Sequence, residues 1–292
     1  MSVAKLAEQY KVPYFHGPTS DKDMANSRFN VHMAPTYEEQ HRALARYLVQ
    51  QFGTNVKYGQ IRVNSVFFDA GAAAFADELN KLGVKLEVDR TVQKDERSFS
   101  DVITELRVKN VQVVNNFTTP SIWTNMIPQA GGYRPTWTGV SPVAGYLLVS
   151  NVLKANNAKA LVFHHFNPAC NCTAFDKDLD NTLPYTAHIR KFLDIFKQYS
   201  PEKSNPDDFD YSAFLSAEAL HRLLLKLGPN PTRSGLFQLL KTYKEAPSAT
   251  FPGCPATARG ERRLGHQINI FNLVGGKWKQ VKGCADVSTL SK

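Results

Sequence analysis

The sequence predicts an α/β protein with parallel sheets flanked by helices, arranged as two lobes. Three observations carry this. Between residues 28 and 140, short apolar runs alternate with amphipathic stretches of about 10–15 residues, the pattern of βαβ units. Beyond Ala144 the pattern shifts to long amphipathic helices, which places a second unit beside the first. The 292 residues are 42% hydrophobic and 21% charged, an ordinary globular composition that excludes a disordered chain.

The elements follow in order. Residues 1–10 read as a helix and "VPYFHG" as a short buried strand ending at Gly17. "RFNVHMAP" reads as a strand in which Phe29, Val31 and Met33 alternate. In "TYEEQHRALARYLVQQFG" Thr36 is an N-cap, Glu39 completes a capping box and Gly53 stops the helix. "IRVNSVFFDAGAAAFADELNKLGVKLEVDR" is a strand, a break around Phe67, Phe68 and Asp69, a helix and a second strand. "SFSDVITELRVKN" is a helix capped by Ser100, "VQVVNNF" a strand, and "TPSIWTNMIPQAGG" a helix with Pro120 in its first turn. "RPTWTGV" and "ALVFHHF" are strands on either side of the helix "YLLVSNVLKA". Two long helices, "TAHIRKFLDIFKQYS" and "DYSAFLSAEALHRLLLKLG", precede a shorter one after Thr232. "HQINIFNLVGGKWKQV" is a hairpin turning at Gly275-Gly276.

The net charge is +9, but Lys and Arg are scattered and Glu261 interrupts the densest cluster, Arg259, Arg262 and Arg263. A solvated surface explains this better than a nucleic-acid partner. No apolar run reaches the about 18 residues of a membrane span. The amino terminus lacks a secretory apolar stretch, which taken alone suggests a cytoplasmic protein. The four cysteines, Cys170, Cys172, Cys254 and Cys284, point the other way. An even count without C-x-x-C fits disulfides better than zinc, and a Cys254–Cys284 bridge would contribute about 3 kcal/mol. A metal site from His164, His165, Cys170 and Cys172 is opposed by adjacency: neighbours on a strand face opposite ways. No metal and no cofactor are expected.

No nucleophile elbow, dinucleotide fingerprint, phosphate loop or zinc-protease motif is present. The break near Phe67 has a late glycine and no basic residue, so it is a poor phosphate cradle. Two phenylalanines there form either a wall for a small organic molecule or packing beneath the adjacent helix. Alternation leaves at most one of them for a ligand. The acids of "DLDNTL" and "NPDDFD" sit beside helix starts, where they complement the dipole.

The stretches "RFNVHMAPTYEEQHRALARYLVQQFG", Ile61–Gly83, "SFSDVITELRVKNVQVVNNFTTPSIWTNMIPQAGG" and "YSAFLSAEALHRLLLKLGPNPTRSGLFQLLKTY" together resemble type I periplasmic binding proteins, in the leucine/isoleucine/valine-binding branch that feeds ABC importers. The resemblance implies two lobes gripping a small solute, with no catalysis. Residues 1–35 and 166–250 would form lobe 1 and residues 36–165 lobe 2. Residues 251–292 would supply the last crossover and strands. Crossings would lie at Ala34–Thr36, Phe166–Pro168 and Phe251–Gly253. Thr19 and Ser20 would hold the ligand from lobe 1. Phe67 would be its aromatic wall, and Thr118, Thr119 and Ser141 would hydrogen-bond it from lobe 2. Amino-acid binders carry an acid near Ser141, so its absence points to a carboxylate or aromatic acid.

The family's first strand–helix–strand run has no counterpart here, so lobe 1 is expected to be incomplete and prone to dimerise. An ABC transporter permease is the implied partner, and a periplasmic or extracellular, membrane-associated location the implied site. Two rival readings are a ligand-sensing regulator of the same fold, and an enzyme using His164 or His165 as a base.

Overall fold

The structure, a computed structural model, describes residues 3–17, 20–21, 28–141, 146–164, 186–200, 206, 208–245, 256–257, 263–274 and 277–290. The chain opens with α1 (Val3–Tyr10), β1 (Tyr14–His16) and β2 (Asn30–His32). β1 and β2 pair in parallel as a two-stranded sheet. β1 is half-buried at Tyr14 and Phe15 rather than fully buried as its sequence suggests. In β2 all three residues are buried, so the polar Asn30 and His32 are enclosed together with Val31.

The strand and helix alternation then builds one sheet. It runs through α2 (Tyr37–Phe52), β3 (Tyr58–Val63), α3 (Val66–Lys81), β4 (Leu86–Val92), α4 (Ser100–Val108), β5 (Val113–Phe117), α5 (Pro120–Gln129), β6 (Thr136–Val140), α6 (Tyr146–Ala155) and β7 (Lys159–His164). Strands β3 to β7 are parallel. Helices cover both faces, which is why β5 and nearly all of β7 are buried end to end. The late hairpin, β10 (Gln267–Val274) and β11 (Lys277–Asp286), returns to this sheet. β10 runs antiparallel to β7, and the seven strands stand in the order β11-β10-β7-β6-β5-β3-β4.

Local chemistry sets the boundaries. Thr36 accepts from the Glu39 amide while the Glu39 side chain returns to the Thr36 amide, so the expected capping box is formed. Gly53, at φ 86°, closes the helix in a backbone region that favours glycine. Two expectations are corrected. Ser100 is the first residue of α4, not its cap; Phe99 holds the cap position and is fully buried, so packing overrides cap chemistry there. The break after β3 is Asn64–Ser65. Ser65 caps α3, and Phe67 and Phe68 lie in its first turn.

Two cores result. The larger spans α2 to β7 together with β10, β11 and the turn that follows. The smaller joins Val31 and Met33 to Ala219 and Leu223 of α8 (Asp208–Leu227), Leu236 and Leu240 of α9 (Arg233–Thr242), Tyr243 and Leu264. A short antiparallel pair, β8 (Lys244–Glu245) and β9 (Ala256–Thr257), follows α9. Helix α7 (Thr186–Tyr199) packs on α8 through Phe192, whose ring lies 5.1 Å from Tyr211 and 5.3 Å from Phe214.

The chain passes between the cores at residues 33–36, and a second segment lies against this passage. Leu264 donates its amide to the His32 carbonyl at 2.9 Å. A Cβ at Gly265 would stand 2.1 Å from the Met33 carbonyl oxygen, so only glycine allows the two backbones this close. The other crossings expected, at 166–168 and 251–253, lie outside the described residues.

Candidate ligand-binding site

The carboxyl ends of β3, β5, β6 and β7 bring most of the expected residues to one edge of the large sheet, where open α/β sheets hold ligands. The two faces of this edge differ in kind. On the α2 and α3 face the residues are aromatic. Tyr37, in the first turn of α2, lies 4.9 Å from Phe67 and 5.4 Å from Phe117. Phe68 bridges them, 5.0 Å from Phe67 and 4.8 Å from Phe117. The pair divides its work, though by position on the first helical turn and not by strand alternation: Phe68 is buried, and Phe67 is 45% exposed. His41 backs the group, its ring 4.2 Å from Phe117. Gly71 makes room, because a Cβ there would lie 2.8 Å from both His41 Nδ1 and Phe117 Cε1.

On the other face the residues are polar. Asn115 is opposite Thr138, Val140 opposite Phe163 and His164 opposite Asn269. The Ser141 amide donates to the Phe163 carbonyl at 2.8 Å, which carries the ladder one residue further. Alternation then sets Asn116, Thr118, Ser141, His164 and Asn269 on one face, and each is fully buried. The Thr118 hydroxyl donates to Asn116 Oδ1 at 2.6 Å. Thr119 holds the cap position of α5, but its hydroxyl lies 2.8 Å from Ser121 Oγ and makes no cap bond.

From the other direction comes Ser20, half-buried, with Asp21 beside it. Asp21 is tied to the start of α2. Its amide donates to both Glu38 carboxylate oxygens, at 3.0 and 3.1 Å, and Thr36 Oγ1 donates to Asp21 Oδ1 at 2.6 Å. Burial raises the Glu38 pKa, neighbouring backbone amides oppose the rise, Asp21's charge adds to it and Arg42's subtracts. Arg263 pairs with Glu39, so the second passing segment also ends on this turn. The turn bearing Tyr37 is therefore joined to the Ser20 segment on one side and to Phe67 on the other.

Thr19, His165, Cys170, Cys172 and Cys254 lie outside the described residues. Of the four cysteines expected to form disulfides, Cys284 alone is among the described residues, and it carries no free thiol. Among the described residues no three His, Cys, Asp or Glu side chains gather as metal ligands, and no helix is long and apolar enough to cross a membrane. Sequence reasoning missed Tyr37 and Asn116. The signal for the second was present, since "VVNNF" sets two amides into a strand otherwise built for burial.

No curated protein matches this chain. Solved structures do. A branched-chain amino acid ABC transporter protein from Thermus thermophilus, solved with bound valine, superposes with a TM-score of 0.73 at 16% identity, over 96% of this chain and 74% of its own. A possible leucine/isoleucine/valine-binding protein from Rhodopirellula baltica gives 0.74 at 16% identity, over 99% and 75%. An ABC transporter solute-binding protein from R. palustris, solved with 4-hydroxybenzoate, gives 0.71 at 14% identity, over 97% and 75%. A family model described as periplasmic binding protein matches residues 1–277. The expected fold is thereby met, and the chain belongs to the periplasmic binding protein family, whose members bind solutes and do not catalyse reactions.

Proposed function

We propose that this protein binds a small organic acid between two lobes and delivers it to the permease of an ABC importer. Residues 1–35 and 166–250 form lobe 1, residues 36–165 form lobe 2, and residues 251–292 cross back and complete the lobe 2 sheet. The observation that carries the reading is the half-exposed Phe67 ring packed edge-to-face against Tyr37 at the carboxyl edge of the sheet, with buried hydroxyls on the same edge. An aromatic wall with a few placed polar groups suits a small, mostly apolar guest. Ser20 and Thr19 contribute from lobe 1, and Thr118, Thr119 and Ser141 from lobe 2. Closure over the ligand is a population shift toward the ligand-bound conformation, with no bond made or broken. The family places such proteins in the periplasm; attachment to the membrane is part of the proposal.

Thermal unfolding in the presence of valine, leucine, benzoate and 4-hydroxybenzoate tests this. A ligand at 100 times its dissociation constant adds about 2.7 kcal/mol, which raises Tm by about 5–10 °C. A flat response to all four at millimolar concentration would refute the proposed ligand class.

A further inference from the structure

On the buried face of the carboxyl edge, Asn116 Nδ2 and Ser141 Oγ have no hydrogen-bond partner among the described residues. Buried polar groups are nearly always satisfied, so each calls for a missing partner. The Thr118 hydroxyl can accept as well as donate, but its 2.6 Å separation from Asn116 is that of an O–H···O bond and shorter than N–H···O bonds, which sets Oδ1 rather than Nδ2 toward Thr118. That bond leaves the amide nitrogen, a donor only, facing away from Thr118. The β5–β6 register, last paired at Asn115–Thr138, if continued sets Ser141 beside Thr118, so the two unsatisfied groups belong to the ends of neighbouring strands on one face. The unsatisfied acceptor of this strand, Asn115 Oδ1, is on the opposite face, where the same amide donates to Gln60 at 3.0 Å.

We propose that Asn116 and Ser141 form a donor pair that takes an oxygen of the bound solute, and that this pair selects a carboxylate or carbonyl oxygen over an ammonium group. The inference rests on the solute-binding reading above and deepens it. Chemistry sets the selectivity. Asn116 Nδ2 can only donate, the Ser141 hydroxyl is able to donate with it, and among the described residues the polar face holds Asn116, Thr118, Ser141, His164 and Asn269 but no carboxylate to receive an ammonium. Both residues are fully buried.

Isothermal titration of the full chain with benzoate, 4-hydroxybenzoate, benzylamine and leucine tests it. Wild-type protein should bind a carboxylate and reject benzylamine. Asn116→Asp keeps the oxygen that Thr118 needs but replaces the donor with an acceptor, and should weaken carboxylate binding at least about tenfold. Ser141→Ala should weaken it about fivefold or more. Circular dichroism confirms that each variant is folded, and Asn116→Leu offers a second, uncharged removal of the donor should Asn116→Asp not fold. If wild type binds a carboxylate and these variants bind within twofold of it, the donor pair is wrong while solute binding stands. Tighter binding of benzylamine than benzoate would also overturn it. If wild type binds none of the four, the solute reading fails and the donor pair with it.

Discussion

His41 is fully buried between α2, Phe75 and Phe117, and its Nδ1 lies 2.8 Å from the Tyr37 carbonyl oxygen. Its Nε2 has no partner. Burial depresses the imidazole from the ordinary 6.5 to about 4, the Tyr37 carbonyl opposing only in part. The folded state thus refuses a proton that the unfolded state accepts. Stability is unaffected above pH 6.5, falls as pH drops toward 4, and then levels off, a total of about 3 kcal/mol. Glu218 adds a lower window. Burial raises its carboxyl, but His188 at 2.5 Å and Lys191 at 2.6 Å outweigh that and hold it at about 2. Its contribution is present above pH 4.5 and is lost as pH falls from 4.5 to 2. Tm measured from pH 8 to 3 should therefore decline in two stages, and His41→Gln should flatten the first alone. An unchanged upper stage in that variant would show another group to be responsible.

At the level of elements, the amino terminus of α2 was the most legible part of the chain. Thr36 and Glu39 carry a local signal, and the capping box they announce is formed. Ser100 carried a similar signal and failed because Phe99 gains more from burial than a cap bond offers. The same competition hid the site's aromatic wall. Tyr37 looks like any first-turn residue until α3 brings Phe67 to within 4.9 Å. What sequence could not show at all is the approach of Gly265 to Met33, a contact across more than two hundred residues. Gly265→Ala would put a methyl group 2.1 Å from a carbonyl oxygen. We expect a loss of about 3 kcal/mol as the two passing segments separate; denaturant unfolding measures it, and a loss under 1 kcal/mol would mean that the segments are easily parted.

For the whole molecule, the alternating strands made the parallel sheet readable, since period and element length identify βαβ units directly. The extent of that sheet was less so. Hairpin β10–β11 was visible as a hairpin, but which sheet it joins depends on long-range pairing that no local pattern encodes. If the two cores belong to lobes that close on a solute, small-angle scattering should give a smaller radius of gyration with a bound carboxylate than without. An identical radius in both states would place the ligand somewhere that does not draw the lobes together.

The late arrival of that hairpin bears on how the protein is made. The edge that β7 offers to β10 is finished long before Gln267 leaves the ribosome, and residues 165–266 must emerge in between. Throughout that interval a nascent chain carries a bare strand flank of the kind that invites wrong partners. Translation order thus delays maturation of the oldest-synthesised half until the final strands are released, and chains halted before residue 267 should be cut by protease where finished ones are not.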